Sequence, residues 1–158
     1  MSERIFESHS AEETRVIAAK LAKEAQAGMI YAFRAEMGAG KTVFSQGFAK
    51  GLGIEGPVSS PTFTLLQVYE GGRLPLYHFD VYRLNSADEM LELGYEEYFF
   101  GDGVCIVEWA DKIEELLPEN TKTIHITYCG QQPGIGGPDY SKGAPHDAQE
   151  ERIYRCDF

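Results

Sequence analysis

The chain has 158 residues, which suits one domain, and 43% of them are apolar, enough to bury a normal core. Its formal net charge of −11 and its scattered Lys and Arg argue against strong direct binding to nucleic acid or an anionic membrane, because both need clustered cations. The three cysteines have neither zinc nor redox spacing, so we expect reduced thiols in a cytoplasmic protein. The N-terminus lacks a signal-like apolar region and no apolar run approaches about 18 residues, so we expect neither secretion nor a membrane span.

The N-terminal third predicts the order strand, helix, strand, helix. Arg4–Glu7 is a short candidate strand, and the capping-box sequence Ser10-Ala11-Glu12-Glu13 predicts a helix from Ala11 to Gln26. Met29–Phe33 is short and apolar enough to form a buried strand. The second helix follows a Gly-rich turn and carries on one face Phe44, Phe48 and Leu52, with Gly47 and Gly51 placed for close packing.

The remaining chain predicts more strands and short helices. Gly71-Gly72 separates two β-prone runs, which indicates a hairpin, and Gly94 interrupts a helical stretch. The predicted elements are Thr62–Glu70, Leu74–Tyr82, Ser86–Tyr98, Val104–Val107, Asp111–Leu117 and Thr121–Cys129. These elements predict an α/β fold: a single P-loop NTPase-like domain whose mixed parallel and antiparallel sheet is flanked by helices.

The C-terminal part has a different composition from the rest of the chain. Gly130–Pro145 is rich in Gly and Pro without apolar periodicity, which predicts a flexible loop. Glu151–Phe158 predicts an additional strand at the edge of the sheet. We therefore divide the chain into a domain over residues 1–129, a loop over 130–145 and a C-terminal segment over 146–158.

The Gly-rich turn follows the pattern of a phosphate-binding loop, Gly-x-x-x-x-Gly-Lys-[Ser/Thr]. It runs from Ala35 to Thr42 and contains Met37-Gly38-Ala39-Gly40-Lys41-Thr42, between a buried strand and a helix. Such loops aim backbone N–H groups and a helix N-terminus at phosphates, while the Lys reaches the β- and γ-phosphates and the hydroxyl holds Mg²⁺. The pattern lacks its first glycine, where Ala35 stands, and alanine fits there if φ stays negative. The alternative is a Gly-rich turn that only caps a helix; the strand and helix around it favour an ATP and Mg²⁺ site.

Two carboxylates lie at the ends of predicted strands, where a nucleotide site of this type needs acidic groups. Glu108 directly follows an apolar strand, and Asp80 shares one strand face with His78 and Tyr82 if the residues alternate. Each carboxylate is equally compatible with a surface charge or a helix cap. His78 and Asp80 could also hold a metal, but no second His or Cys cluster completes such a site, so a packed or hydrogen-bonded His78 is favoured.

Two further features remain open at this level. The hydroxyls in Ser59-Ser60-Pro61-Thr62-Phe63 lie in a proline-stiffened loop that could sense a γ-phosphate, or they belong to an ordinary turn. Trp109, the only tryptophan, either packs in the protein or forms a wall of the nucleotide site beside Glu108.

Four short motifs together resemble one family. In order they are Met37-Gly38-Ala39-Gly40-Lys41-Thr42, Ser60-Pro61-Thr62-Phe63, His78-Phe79-Asp80-Val81-Tyr82-Arg83-Leu84 and Val107-Glu108-Trp109-Ala110-Asp111-Lys112. Their order and spacing resemble the TsaE (YjeE) family, the small bacterial ATPases of tRNA threonylcarbamoyladenosine synthesis, from about Glu7 to Tyr128. The Gly130–Pro145 segment matches nothing in that pattern.

The resemblance implies a role for each matching residue. Met37, Gly38, Ala39, Gly40, Lys41, Thr42 and Val43 would bind the nucleotide, with Trp109 close to it and a weaker match placing Ala11 near the base. Thr42 and Glu108 would hold Mg²⁺. Lys41 and Asp80 would act in catalysis, with Asp80 ordering water, and Ser60 and Thr62 would belong to a switch-like loop.

The resemblance also implies partners and an activity. A slow ATPase would act with the TsaD–TsaB pair, which carries out the transfer to tRNA, and the acidic charge of the chain fits a subunit that leaves the RNA to its partners. A small-molecule kinase is an alternative, but no arginine-rich lid is visible in the sequence. A nucleotide-gated binding module without useful turnover is a third hypothesis, which the sequence hardly separates from the first.

Overall fold

The computed structural model describes residues 3–35, 41–58, 65–128 and 152–157. This part of the chain forms one seven-stranded sheet with helices on both faces. The strands are β1 Glu3–Ser8, β2 Ile30–Ala35, β3 Leu66–Tyr69, β4 Leu76–Asp80, β5 Val104–Glu108, β6 Lys122–Tyr128 and β7 Arg152–Asp157. The helices are α1 Ala11–Glu24, α2 Lys41–Gly51, α3 Glu89–Leu93 and α4 Tyr95–Phe99, followed by a 3₁₀ segment, Ala110–Leu116, that is kinked at Ile113.

The sheet is mixed, as the sequence predicts. Its strand order is β1-β7-β6-β2-β5-β4-β3, and the four neighbours β6, β2, β5 and β4 run parallel. The outer pairs, β3 with β4, β6 with β7 and β7 with β1, are antiparallel. All five residues of β5 are buried, which fits its continuous apolar sequence and its position among parallel strands. The fold is therefore an α/β fold with a mixed sheet, and the carboxyl ends of its four parallel central strands lie at the same edge.

Alternate residues of β2 build the cores on the two faces of the sheet. Phe33 meets Phe44 of α2 with ring centroids 5.0 Å apart, and Tyr31 meets Phe48 at 5.3 Å. The intervening residues Ile30 and Ala32 belong to the opposite core, which α4 covers. This alternation fixes the register of β2, because a shift by one residue would exchange the two faces.

Two glycines allow helices α1 and α2 to pack backbone against backbone. A Cβ atom at Gly47 would lie 2.6 Å from the Cα and O atoms of Arg15, and one at Gly51 would lie 2.5 Å from the carbonyl oxygen of Ala19. The contacts confirm the close packing predicted for these glycines. Because both contact positions advance together along the chain, the helices run in the same direction, and their N-termini lie at the same end.

Specific hydrogen bonds cap both ends of α1. At its start, the Ser10 hydroxyl accepts from the Glu13 backbone N–H at 3.1 Å, and the Glu13 carboxylate accepts from the His9 backbone N–H at 2.7 Å. At its end, Nη2 of Arg73 donates to the carbonyl oxygens of Ala22 at 2.7 Å and Ala25 at 2.8 Å. The helix ends at Glu24, slightly before the predicted Gln26, because Ala25 is already extended.

The C-terminal strand lies inside the sheet, so the predicted edge position is wrong. Strand β7 pairs with β6 on one side and with β1 on the other. The prediction failed because β7 and its partner β1 are far apart in sequence, and no local pattern indicates that pairing. Of the C-terminal predictions, the flexible loop over Gly130–Pro145 lies outside the described residues. No helix in the described ranges is long and apolar enough to cross a bilayer.

Candidate functional site

Three chemically important residues meet where the parallel strands end. Asp80 is the last residue of β4, Glu108 is the last residue of β5, and the two are register partners. Glu108 is also paired with Phe33 of β2, the strand that leads toward Lys41 at the start of α2. Ligands of open α/β sheets bind at the carboxyl ends of the strands, so this edge is the candidate site.

The ammonium group of Lys41 is held by two neighbours from the end of β5. Its Nζ atom lies 3.8 Å from Oε1 of Glu108 and 4.5 Å from the centroid of the Trp109 ring. Only 13% of the Lys41 side chain is exposed, so both interactions act in a partly desolvated setting where they are stronger than at a free surface. The structure thus brings together three of the predicted site residues, Lys41, Glu108 and Trp109.

Glu108 is a nearly buried carboxylate with one partner on each oxygen. Its side chain is 3% exposed; Oε1 faces Lys41, and Oε2 lies 2.9 Å from Nε2 of His78. A buried carboxylate is costly unless its charge is compensated and its oxygens are hydrogen-bonded. The cation and the imidazole together meet both conditions, so the surface-charge and helix-cap alternatives do not apply to Glu108.

Asp80 is fixed by hydrogen bonds of its backbone and its side chain. Its N–H donates to the carbonyl of Leu65 at 2.9 Å, and Oδ1 accepts from the Tyr82 backbone N–H at 3.0 Å. This second bond forms a turn that ends β4 at Asp80. The prediction that Tyr82 continues the strand face of His78 and Asp80 is therefore wrong, although those two residues do share a face.

Trp109 adopts an uncommon backbone conformation. Its φ of 62° and ψ of 37° lie in the left-handed region, which is a genuine outlier for a bulky residue. Its ring packs against Tyr82 at a centroid separation of 4.7 Å, while Nζ of Lys112 lies over the Tyr82 ring and donates to the Tyr82 carbonyl. The ring thus contacts both Tyr82 and the Lys41 ammonium group, which supports the packing interpretation. Its role as a wall of a nucleotide site remains a prediction.

The oxygen donors at the site fit Mg²⁺ that arrives with phosphates. Thr42 is exposed in the first turn of α2, directly after Lys41 in sequence, and Glu108 offers the carboxylate that lies 3.8 Å from the Lys41 ammonium group. Mg²⁺ commonly uses one or two protein oxygens together with substrate phosphates and water. Within the described ranges no group of three or more His, Cys, Asp or Glu could hold a metal, and Nε2 of His78 is occupied by Glu108. A metal site built on His78 and Asp80 alone is thus not supported.

Several predicted site residues lie outside the described part of the chain. They are Met37, Gly38, Ala39, Gly40, Ser60 and Thr62. Ala35 is the last residue of β2, and Val43 lies in the first turn of α2. Ala11 is the first residue of α1, whose N-terminus points to the same end as that of α2, so it lies on the side of the fold where its predicted ligand would bind.

The sequence predictions missed two contacts that shape the site. His78 is the partner of Glu108, and Tyr82 is the partner of Trp109. The sequence did contain one signal for the contact of His78: in a strand, His78 and Asp80 point to the same face of the sheet. Glu108, the last residue of β5, presents its side chain on that face. The favoured interpretation of His78 as a hydrogen-bonded residue is confirmed, but its partner could not be identified without the pairing of β4 with β5.

The fold is that of a mixed α/β protein whose candidate ligand site lies at the carboxyl ends of its parallel strands. Residues 8–133 match the family model described as "Threonylcarbamoyl adenosine biosynthesis protein TsaE". The chain belongs to this family.

Similar proteins agree with that assignment. The chain is 51% identical to the tRNA threonylcarbamoyladenosine biosynthesis protein TsaE of Bacillus subtilis (strain 168), over 75% of this chain and 74% of the relative. It is 43% identical to the protein of the same name from Treponema pallidum (strain Nichols), over 75% and 87%. A crystal structure of Bacillus subtilis YdiB matches with a TM-score of 0.76 and 37% identity, over 98% of this chain and 84% of that one.

Proposed function

We propose that the protein is an ATP-binding, slowly hydrolysing accessory subunit needed to form threonylcarbamoyladenosine in tRNA. It would act on the TsaD–TsaB complex in the cytoplasm and leave the chemistry on tRNA to those partners. Family membership and the names of the relatives support the pathway. The observation that carries the ATP site is the cluster of Lys41, Glu108 and Asp80 at the carboxyl ends of parallel strands.

Lys41 and the start of α2 would bind the phosphates. The lysine opens the helix, so its ammonium group would reach an anion bound at the first helical N–H groups, where both favour negative charge. When Lys41 turns to a phosphate, Oε1 of Glu108 is released from its ion pair. Thr42 and Glu108 would then hold Mg²⁺, which neutralises charge on the phosphates during transfer.

Asp80 would order the attacking water. It lies in register with Glu108, is 5% exposed and is held by its bond from the Tyr82 N–H, so its carboxylate has a defined direction. ATP hydrolysis usually requires a residue that positions the attacking water and a cation that contacts the transferring phosphoryl group.

An incomplete set of cations would make hydrolysis slow in the isolated protein. Among the described arginines, Arg4 and Arg34 form ion pairs with Glu24 and Glu114, and Arg73 binds the end of α1. Arg83 lies in the exposed turn after β4 and is the nearest candidate in sequence to Asp80. An arginine supplied in trans raises the rate by roughly 10³–10⁵ in related systems, so we expect the TsaD–TsaB pair to stimulate hydrolysis.

Mg²⁺-dependent ATP hydrolysis with and without purified TsaD–TsaB tests this function. Stimulation is expected with the unmodified protein and should be lost in Lys41→Ala and Asp80→Asn. Nucleotide binding, measured by calorimetry, should be weakened by Lys41→Ala and retained by Asp80→Asn. Rapid unaided turnover at tens per second would contradict the accessory role, and tight ATP binding without any stimulated hydrolysis would favour a nucleotide-gated binding module. A phosphorylated acceptor in place of free phosphate would instead indicate a kinase.

A further inference from the structure

His78 is a buried imidazole whose two nitrogens have very different surroundings. Its side chain is 1% exposed, and Nε2 lies 2.9 Å from Oε2 of Glu108. The other nitrogen, Nδ1, is also buried and has no hydrogen-bond partner among the described residues. Every hydrogen bond that the described structure gives this ring is therefore directed at one oxygen of one carboxylate.

The contact fixes which ring nitrogen carries a proton. Glu108 is the carboxylate of the ion pair with Lys41, so its Oε2 has no proton to donate and can only accept, which makes Nε2 of His78 the donor. This assignment holds whatever occupies Nδ1. It resembles the arrangement around metal sites, in which a residue behind a ligand sets the orientation of that ligand.

Because of this hydrogen bond, the two oxygens of the Glu108 carboxylate have different partners. Oε2 is occupied by His78 on the inner side, while Oε1 faces the ammonium group of Lys41. The carboxylate plane cannot turn without breaking the bond to His78. Only Oε1 is therefore presented to a cation, which in this structure is the ammonium group of Lys41.

We propose that His78 is a positioning residue that holds Glu108 Oε2 through its Nε2–H and thereby presents Oε1 to the nucleotide-bound Mg²⁺. The inference rests on the proposed function, because it needs a metal that arrives with ATP. His78 touches neither phosphate nor metal in this scheme. Removing it should weaken the metal-dependent part of nucleotide binding and spare the part that Lys41 and the helix supply.

Two amide substitutions separate this role from simple packing. In His78→Gln the side-chain NH₂ can occupy the place of Nε2, whereas in His78→Asn the shorter amide reaches only the place of Nδ1. Both variants are neutral and polar, so they carry similar costs of burial. The difference between them reports the bond to Glu108.

The experiment measures Mn²⁺ affinity in the presence of a non-hydrolysable ATP analogue, by electron paramagnetic resonance of free Mn²⁺. It also measures analogue affinity in EDTA. We expect His78→Asn to weaken Mn²⁺ binding by about 10- to 100-fold, in line with other substitutions behind metal ligands, and His78→Gln to restore most of it. In EDTA, the affinity of each variant for the analogue should stay within about twofold of the unmodified protein, since binding without metal does not use Oε1 of Glu108. Circular dichroism establishes that each variant is folded.

Equal losses of Mn²⁺ affinity in the Gln and Asn variants, or no loss in either, would overturn the positioning role. A separate result tests the underlying function: unmodified protein that binds no analogue, with or without metal, would refute the nucleotide site itself. A nitrogen-15 spectrum of the nucleotide-free protein adds a readout that needs no ligand. It should contain an Nε2–H signal of His78 that shifts in Glu108→Gln, and an Nδ1–H tautomer instead would overturn the inference.

Discussion

The Nζ atom of Lys41 and Oε1 of Glu108 lie 3.8 Å apart, which joins the first residue of α2 to the last residue of β5. Under the proposed function, each member of this ion pair has another partner once ATP and Mg²⁺ are bound. The lysine would turn to phosphate, and Oε1 of the carboxylate, which His78 holds in place through Oε2, would bind the metal. Nucleotide binding is then an exchange of partners within a site that keeps its charges compensated in both states.

Trp109 should report this exchange by fluorescence. It is the only tryptophan, and the Lys41 ammonium group lies 4.5 Å from its ring centroid in the described state. We expect a saturable change in emission when an ATP analogue and Mg²⁺ are added, because the cation leaves the ring. Lys41→Ala should alter the emission of the free protein and abolish the titration, whereas an unchanged titration in that variant would show that the signal has another origin.

Gly47→Ala should destabilise the fold by about 1–3 kcal/mol, which is typical of overpacking. The new Cβ would lie 2.6 Å from backbone atoms of Arg15, and backbone cannot move aside as a flexible side chain can. At an uncrowded helical position the same change would stabilise by roughly 0.5–1 kcal/mol, so the sign of the effect is diagnostic. Urea unfolding measures it, with the exposed Lys50→Ala on the same helix as a near-neutral control; a Gly47→Ala protein as stable as the unmodified one would refute the backbone contact.

Arg73→Ala should also lower the free energy of unfolding, by about 1–2 kcal/mol. The guanidinium group supplies donors to the carbonyls of Ala22 and Ala25 at the end of α1, where the Ala22 carbonyl also accepts from the Ala25 backbone N–H at 3.2 Å. Arg73→Lys keeps the charge but lacks the planar fork, and we expect it to recover only part of the loss. Thermal unfolding of the three proteins checks this order, and full recovery by Lys would indicate that charge alone matters.

Stability should fall at alkaline pH because of Cys105. Burial raises the pKa of this thiol from 9.0 to about 12. Above pH 9 the thiol ionises in the unfolded state but stays protonated in the folded state, and this ionisation stabilises the unfolded state. The free energy of unfolding therefore decreases toward pH 12, by at most about 1.4 kcal/mol per pH unit. Burial also raises the pKa of Tyr77, which adds a slope of the same sign.

Cys105→Ala isolates the contribution of the thiol. The variant should be less stable at neutral pH, since it leaves a cavity, but its stability should fall less steeply between pH 9 and pH 12 than that of the unmodified protein. Denaturant unfolding at several pH values gives both slopes, and parallel curves would contradict the assignment to Cys105.

Local patterns were sufficient to predict most elements of the fold. Apolar periodicity, the Ser10–Glu13 cap and Gly94 predicted α1, α2 and the split between α3 and α4, because these features depend on neighbours within a few residues. The position of β7 depends on pairing with β1 at the other end of the described chain. No short-range pattern carries that information.

The candidate site shows the same limit. Residue types and motif spacing were sufficient to predict Lys41, Asp80 and Glu108 as candidate site residues, since few side chains suit phosphates and metals. The contact of His78 with Glu108 depends on strand β4 lying beside β5 with Asp80 opposite Glu108. The packing of Tyr82 depends on a turn that Asp80 itself creates. Both contacts depend on how the strands pair and turn in the folded protein, which the residue types alone do not reveal.

The pairing of β1 with β7 has a consequence for how the protein is made. Glu3 lies opposite Asp157, and β1 has no other strand as a neighbour in the described sheet. During synthesis β1 emerges from the ribosome before β7, and it can pair into the sheet only after β7 has also emerged. Pairing between segments so far apart in sequence is of the kind that slows folding. Incorporation of β1 into the sheet during synthesis is therefore tied to the arrival of β7.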